Sequence, residues 1–289
     1  MVGMNKKKKI FWLCIFLLPN LIGMALFSFF PIISSLVISF TEWDLIGEMN
    51  FIGFQNYARL FDDSNFHRVF LNTLQYIVGY IPLVIVLGLG MALLLNKKMK
   101  FRAGFRAIYF LPVITSWVAV SFVWMWLFNP NYGLLNYLLS LIGIEGIGWL
   151  SDPSTAMLSI IIASVWKDIG FVMVLFLGGL QSISPSLYEA SSIDGAGKLR
   201  QLWSITIPQL APTTFMVTTI SLINSFQVFT QVMIMTEGGP GGSTRVVVQS
   251  IYDYAFRFFE MGYAAAMSWV LFLVIFVITA IRMKLEKEV

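Results

Sequence analysis

Apolar residues in this chain arrive in blocks of membrane length instead of alternating with polar ones. Six stretches are nearly free of charge, at about 10–40, 71–95, 107–128, 155–180, 210–235 and 263–281. A helix needs roughly 20 mostly apolar residues to cross bilayer hydrocarbon. The pattern predicts an all-α polytopic membrane protein with six transmembrane helices, a single transmembrane domain over residues 1–289. The first block exceeds one straight span, and Pro19 and Pro31 are expected to break it into a leading segment and a span.

Between the fourth and fifth blocks lies one long polar stretch, SPSLYEASSIDGAGKLRQLWSITIPQ, residues 184–209. Ser184 and Pro185 make a helix start, with the serine hydroxyl free to cap. Glu189 is expected in the first turns, where a carboxylate favours the helix dipole. Asp194, Gly195 and Gly197 supply turn chemistry, and residues 199–207 form a second amphipathic piece that Pro208 should end. Two short helices around a glycine turn are predicted. Leu187, Tyr188, Ile193, Leu199, Leu202, Trp203 and Ile205 are too apolar for an ordinary solvated loop, so they are expected to meet a partner or the membrane surface.

Composition agrees with the blocks: 58% of residues are hydrophobic and 12% charged, with a mean hydropathy of +0.80. Soluble domains carry about 25% charged residues. Charge sets the orientation. With the N-terminus inside, fourteen of the nineteen basic residues fall on the cytoplasmic side. Arg59, Arg68, Arg245 and Arg257 fall outside, and Lys167 lies in a span. That bias predicts both termini in the cytoplasm, together with the 184–209 loop. The net charge of +4 is therefore a topology signal, with no nucleic-acid partner implied. The basic run Lys6–Lys9 precedes an apolar stretch too long for a signal core and without a small-residue cleavage site, so an uncleaved first membrane segment is expected. Residues 132–143 suit a short interfacial helix.

Several chemistries are excluded. The single Cys14 allows no internal disulfide, and His67 stands without a ligand cluster, so no metal is expected. The phosphate-cradling pattern GxxxxGK[ST] is absent; the chain is expected to bind no cofactor, to hydrolyse no ATP and to be no enzyme. Lys167 and Asp168 are the ionisable residues deep in the fourth block, where charge is costly and usually functional. Trp166 and Gly170 flank them, an aromatic face for stacking and a gap for close approach. Lys167 pairs with another helix or snorkels on one reading, and serves a path on the other. In the fifth block Asn224, Gln227 and Gln231 share one helical face, with Thr230 joining and Phe226 and Phe229 beside them. Such a face suits a hydroxyl-rich ligand or interhelical hydrogen bonding. Trp117 and Trp124 are expected to pack or to sit in a lipid belt.

EASSIDGAGKLRQLWSITIP resembles the EAA motif of importer-type ABC permeases, whose general form is EAA, three residues, G, about nine residues, then I-x-LP. Glu189, Ala190 and Ser191 stand for EAA, Gly195 for the glycine, and Ile205 to Pro208 for the ending. Asp194, Gly195 and Ala196 look like the carbohydrate-importer version; Ser191, Trp203 and Ile207 are small departures. Thr236-Glu237-Gly238-Gly239-Pro240, Trp149 to Pro153, Gly179 to Ile183, and Gly262 to Ala266 also resemble that maltose-type branch. The resemblance implies one of two homologous permease subunits, two cytoplasmic ATPases carrying ATP and Mg, and an extracytoplasmic solute-binding protein. It implies a coupling role for the loop and a path-lining role for the stretch before Thr236. Alternating access follows, with a neutral or uronic saccharide as cargo. Glycerol phosphate is the competing cargo, but a phosphate would call for several cations, and Lys167 stands alone. A secondary transporter would call for more intramembrane carboxylates and inverted repeats.

Overall fold

The computed structural model describes residues 6–97 and 100–286; Lys98 and Lys287, counted in the charge argument, lie outside them. Two compact units emerge. One holds residues up to 63 with 251–272, and the other 64–250 with the residues from 273.

In the first unit, α1 (Lys6–Met24), a π-helical turn (Ala25–Phe29) and α2 (Phe30–Ile38) follow without interruption. The expected break at Pro19 does not occur, since that proline sits inside α1. Pro31 is absorbed as well. It has no N–H to return to the preceding turn, and the wider π turn just ahead of it, closed by Phe30 N–H to the Ala25 carbonyl, makes room for its ring. The apolar side chains of residues 12–38 are largely exposed, as lipid contact requires. Strands β1 (Thr41–Glu42) and β2 (Asn50–Phe51) pair antiparallel with Thr41 opposite Phe51, and α3 (Gln55–Asp62) follows. Buried Asn56 fixes this corner by donating to the Ser39 carbonyl at 3.0 Å and the Thr41 carbonyl at 2.9 Å. The last helix enters the same corner. Met261 N–H donates to the Trp43 carbonyl at 3.0 Å, Tyr263 OH to Asp63 at 2.7 Å, and Arg59 pairs with Glu260.

The second unit is built on α8 (Ala156–Ser182), which packs against α4 (Ser64–Asn96) and α5 (Arg102–Ile114). Helix α5 is followed, across a bend of 100°, by α6 (Trp117–Leu127). Residues 134–141 do form a short helix, α7 (Leu134–Leu141). Asn136 within it uses its full capacity: it donates to the Pro130 and Ile147 carbonyls and accepts from Ile147 N–H and the Trp149 indole. Trp149 in turn offers its carbonyl to Ser159 Oγ at 2.8 Å, which seats the first turn of α8.

Beyond α8 come α9 (Pro185–Ile193), α10 (Lys198–Gln201), a π turn (Leu202–Thr206) and α11 (Ile207–Gln209). Then α12 (Ala211–Phe226), α13 (Thr230–Met235), α14 (Val247–Phe256) and α15 (Met261–Glu286) complete the order. Among the described residues, four helices are long and apolar enough to cross a membrane, and five if the bent pair is one span. The fifth apolar block is divided: α12 closes on itself through Gln227 N–H to the Asn224 carbonyl and Val228 N–H to that of Ser225, and α13 restarts after Phe229. These tight three-residue closures end a helix where polar side chains crowd its last turn.

Candidate functional site

Two regions gather the candidate residues. The first is the polar loop. Residues 190–196 close α9 in a Schellman arrangement: Ala196 N–H donates to the Ser191 carbonyl at 2.9 Å, and Gly195 N–H to that of Ser192 at 3.1 Å. Gly195 has φ +78°, the left-handed conformation that a side chain resists. Across the turn, the Gln201 amide donates at 2.9 Å to both Ser191 and Ser192 hydroxyls, and Tyr188 OH meets Thr206 Oγ1 at 2.9 Å. The two short helices are thus stapled together, with Ile193, Leu199 and Trp203 left 87%, 70% and 65% exposed. Glu189, Ala190, Asp194 and Gly195 are exposed too, and Ser191 and Ala196 half-buried.

Three local expectations need correction. Ser184 makes no cap bond, because its hydroxyl pairs with Ser186 at 2.8 Å. Glu189 lies past the first turn of α9, where the dipole has little reach. Pro208 does not end the second piece; the π turn before it and the Leu210 N–H to Thr206 carbonyl bond carry the chain almost directly into α12.

The second region is a cavity of about 320 Å³ lined by Tyr76, Tyr80, Trp117, Asp168 and the 224–231 stretch. Asp168, Asn224, Gln227, Thr230 and Gln231 all reach it. They do so around the break and not along one continuous helical face: Asn224 ends α12, Gln227 sits in the break, and Gln231 belongs to α13. Trp166, Gly170 and Phe226 are not on the wall. Trp166 stacks edge-on against Trp124 at 5.7 Å, and Phe226 is buried. Gly170 faces the backbone of α5, where an added Cβ would collide with the Tyr109 carbonyl.

The sequence pattern singles out neither Tyr76 nor Tyr80, and Trp117, expected to pack or to sit in a lipid belt, is instead on the cavity wall. The two tyrosine rings stack at 5.4 Å, Tyr80 OH donates to Asp168 at 2.8 Å, and the Gln231 amide approaches Tyr76 OH at 3.5 Å. Their i, i+4 spacing in an otherwise apolar span was the available signal. The same stripe continues upward. Asn72 donates at 2.9 Å to the Gly242 and Arg245 carbonyls, and Arg68 to that of Gly241. Arg68, Asn72, Tyr76 and Tyr80 therefore run from the glycine-rich 236–245 loop to the cavity along α4. Lys167 points elsewhere, its Nζ 3.0 Å from the Val113 carbonyl.

A notch lined by amides, hydroxyls and aromatic rings inside apolar helices has the chemistry to meet a polar solute. The signature of the family described as binding-protein-dependent transport system inner membrane component matches residues 84–289. The permease protein YurN of Bacillus subtilis, described as a probable ABC transporter permease, is 36% identical over 94% of this chain and 95% of its own length. The lactose transport system permease protein LacF of Rhizobium radiobacter is 36% identical over 96% and 94%. A crystal structure of a bacterial ABC transporter that imports the acidic polysaccharide alginate contains a chain with TM-score 0.86 and 25% identity, covering 98% of this chain and 97% of that one. The chain belongs to the binding-protein-dependent transport system inner membrane component family: it is a multi-pass transmembrane subunit of an ABC importer.

Proposed function

We propose that this subunit contributes half of the translocation path for a sugar or oligosaccharide, and that the 224–231 break with Asp168 is its part of that path. The observation that carries the reading is the cavity itself, where polar side chains from α4, α8, α12 and α13 converge within apolar surroundings. Relatives named for trehalose and maltose, lactose, and multiple sugars support a saccharide cargo. A homologous permease subunit is expected to supply the facing half. Two ATPase subunits, which bind ATP and Mg, are expected to dock on the 184–209 loop; its exposed Leu199 and Trp203 suit an apolar socket. The extracytoplasmic binding protein delivers cargo, as in the alginate importer solved with its periplasmic protein.

Alanine at Asn224, Gln227 or Gln231 tests the path. Each change removes a polar contact with the cargo and should lower uptake about five- to tenfold, the effect of roughly 1–1.5 kcal/mol. Co-purification of the subunits and basal ATP hydrolysis should be unchanged. Loss of the assembled complex instead would mean that these amides bond between helices.

Six spans with both termini cytoplasmic complete the reading, with α12 and α13 together forming the fifth. In a Cys14→Ser background, cysteines at Asp62 and Gly241 should react with an impermeant maleimide in intact cells. Cysteines at Lys100 and Lys198 should react only after permeabilisation. External labelling at position 198 would overturn the orientation and, with it, the docking role of the loop.

A further inference from the structure

Lys167 is 5% exposed, deep in α8, and among the described residues it belongs neither to the cavity wall nor to an ion pair. Its surroundings supply a role. The last carbonyls of α5 lose their helical partners because the chain bends by 100° at Thr115 and Ser116. Each is served differently. The Leu111 carbonyl takes Thr115 Oγ1 at 3.0 Å, and that of Pro112 takes Thr115 N–H at 3.2 Å. In an unbent helix the Val113 carbonyl would accept Trp117 N–H. Here Ser116 starts α6, accepting Val118 N–H on its hydroxyl, and Val113 is left for Lys167 Nζ at 3.0 Å. A cation at a helix C-terminus also meets the negative end of its dipole. The same ammonium lies 5.0 Å from the centroid of the Trp117 ring, and Trp117 is on the cavity wall.

The face of α8 is set for this contact. Gly170, one turn further on, lets the α5 backbone come against α8 at Tyr109 and Phe110. Asp168, about 100° around the helix, points the other way, into the cavity with Tyr80.

We propose that Lys167 is a positioning residue of the translocation path: it holds the bend between α5 and α6 through the Val113 carbonyl and keeps Trp117 on the cavity wall. This rests on reading the cavity as the path. Lys167 does not touch cargo; it acts through the bend.

The test uses the assembled importer in detergent, in a Cys14→Ser background, with Trp117→Cys or Asn224→Cys as the reporter and a water-soluble maleimide as the probe. Lys167→Met should change the labelling rate at position 117 by at least about fivefold, the population change that one net hydrogen bond supports. Lys167→Arg, which keeps a cationic donor of similar reach, should restore the rate to within about twofold by the same measure. Labelling at position 224 should be equal in all three backgrounds. If the methionine variant does not assemble, Lys167→Gln replaces it in the same comparison. An unchanged rate at 117, an arginine variant as altered as the uncharged one, or a parallel change at 224 would each overturn the proposal. Absence of any labelling at 224 with Lys167 intact would instead refute the cavity as a water-accessible path.

Discussion

Gly195→Val should cut uptake by at least about tenfold, and abolish stimulation of ATP hydrolysis by the loaded binding protein, in an importer that still assembles. Space is not the obstacle, because an added Cβ at Gly195 meets nothing within 4 Å. The backbone is. A residue with a Cβ pays about 1–2 kcal/mol in the left-handed conformation, and a β-branched one more. The φ of +78° is required by the two bonds that close α9, so relief of the strain opens the turn. Leu199 and Trp203, carried on the far side of the turn, would then be re-aimed. The expected loss corresponds to about 1.4 kcal/mol in docking, a factor of ten. Gly195→Asn, which tolerates this conformation better, should retain most of the activity. Normal uptake by the valine variant, measured in proteoliposomes, would remove the loop from the coupling role.

Gly170→Val should act differently, by destroying the assembly. Here the added atoms would run into the Tyr109 carbonyl, and a main-chain neighbour cannot swing aside as a flexible side chain does. The two helices must separate. Overpacking of this kind costs about 1–3 kcal/mol, occasionally more. Separation would also carry the Val113 carbonyl out of reach of Lys167. The heat-induced loss of monodisperse complex, followed by size-exclusion chromatography, should shift well downward, and uptake should vanish with the protein. Gly178→Ala on the same helix is the contrast. Nothing lies within 4 Å of its added Cβ, so the variant should be as stable as the parent or slightly more so. Equal behaviour of the two variants would show that close approach of α5 and α8 is not needed.

The apolar blocks revealed the long helices because membrane insertion imposes length and hydrophobicity directly on the sequence. The Gly195 turn was readable for a similar reason: a left-handed residue leaves glycine as its trace. Helix breaks left weaker traces. Pro19 and Pro31 suggested interruptions, but Pro19 sits inside α1 and a π turn makes room for Pro31, whereas the real interruption at 227–229 contains neither proline nor glycine. The break depends on how α12 and α13 pack, and no local residue announces that. For the same reason five of the eight candidate path residues reach the cavity and three do not. Trp166 and Asp168 lie on different sides of α8, and which side faces open space is a tertiary fact. Tyr76 and Tyr80 lay outside any recognised motif, so only their spacing could have exposed them.

The stripe Arg68, Asn72, Tyr76, Tyr80 has a bearing on how this subunit can change over evolution. Its upper half grips the carbonyls of the glycine-rich loop, and its lower half meets Gln231 and Asp168. One rigid rod therefore gauges two sites by its residue count. A single residue inserted between Asn72 and Tyr76 would rotate one half against the other by about 100° and shift it about 1.5 Å along the axis. Side chains along α4 are free to be exchanged for others of the same reach, but the number of residues between them is not. On the proposed path, the contribution of α4 to cargo preference is thus free to drift by substitution at Tyr76 and Tyr80, while changes in chain length are driven out to the loops.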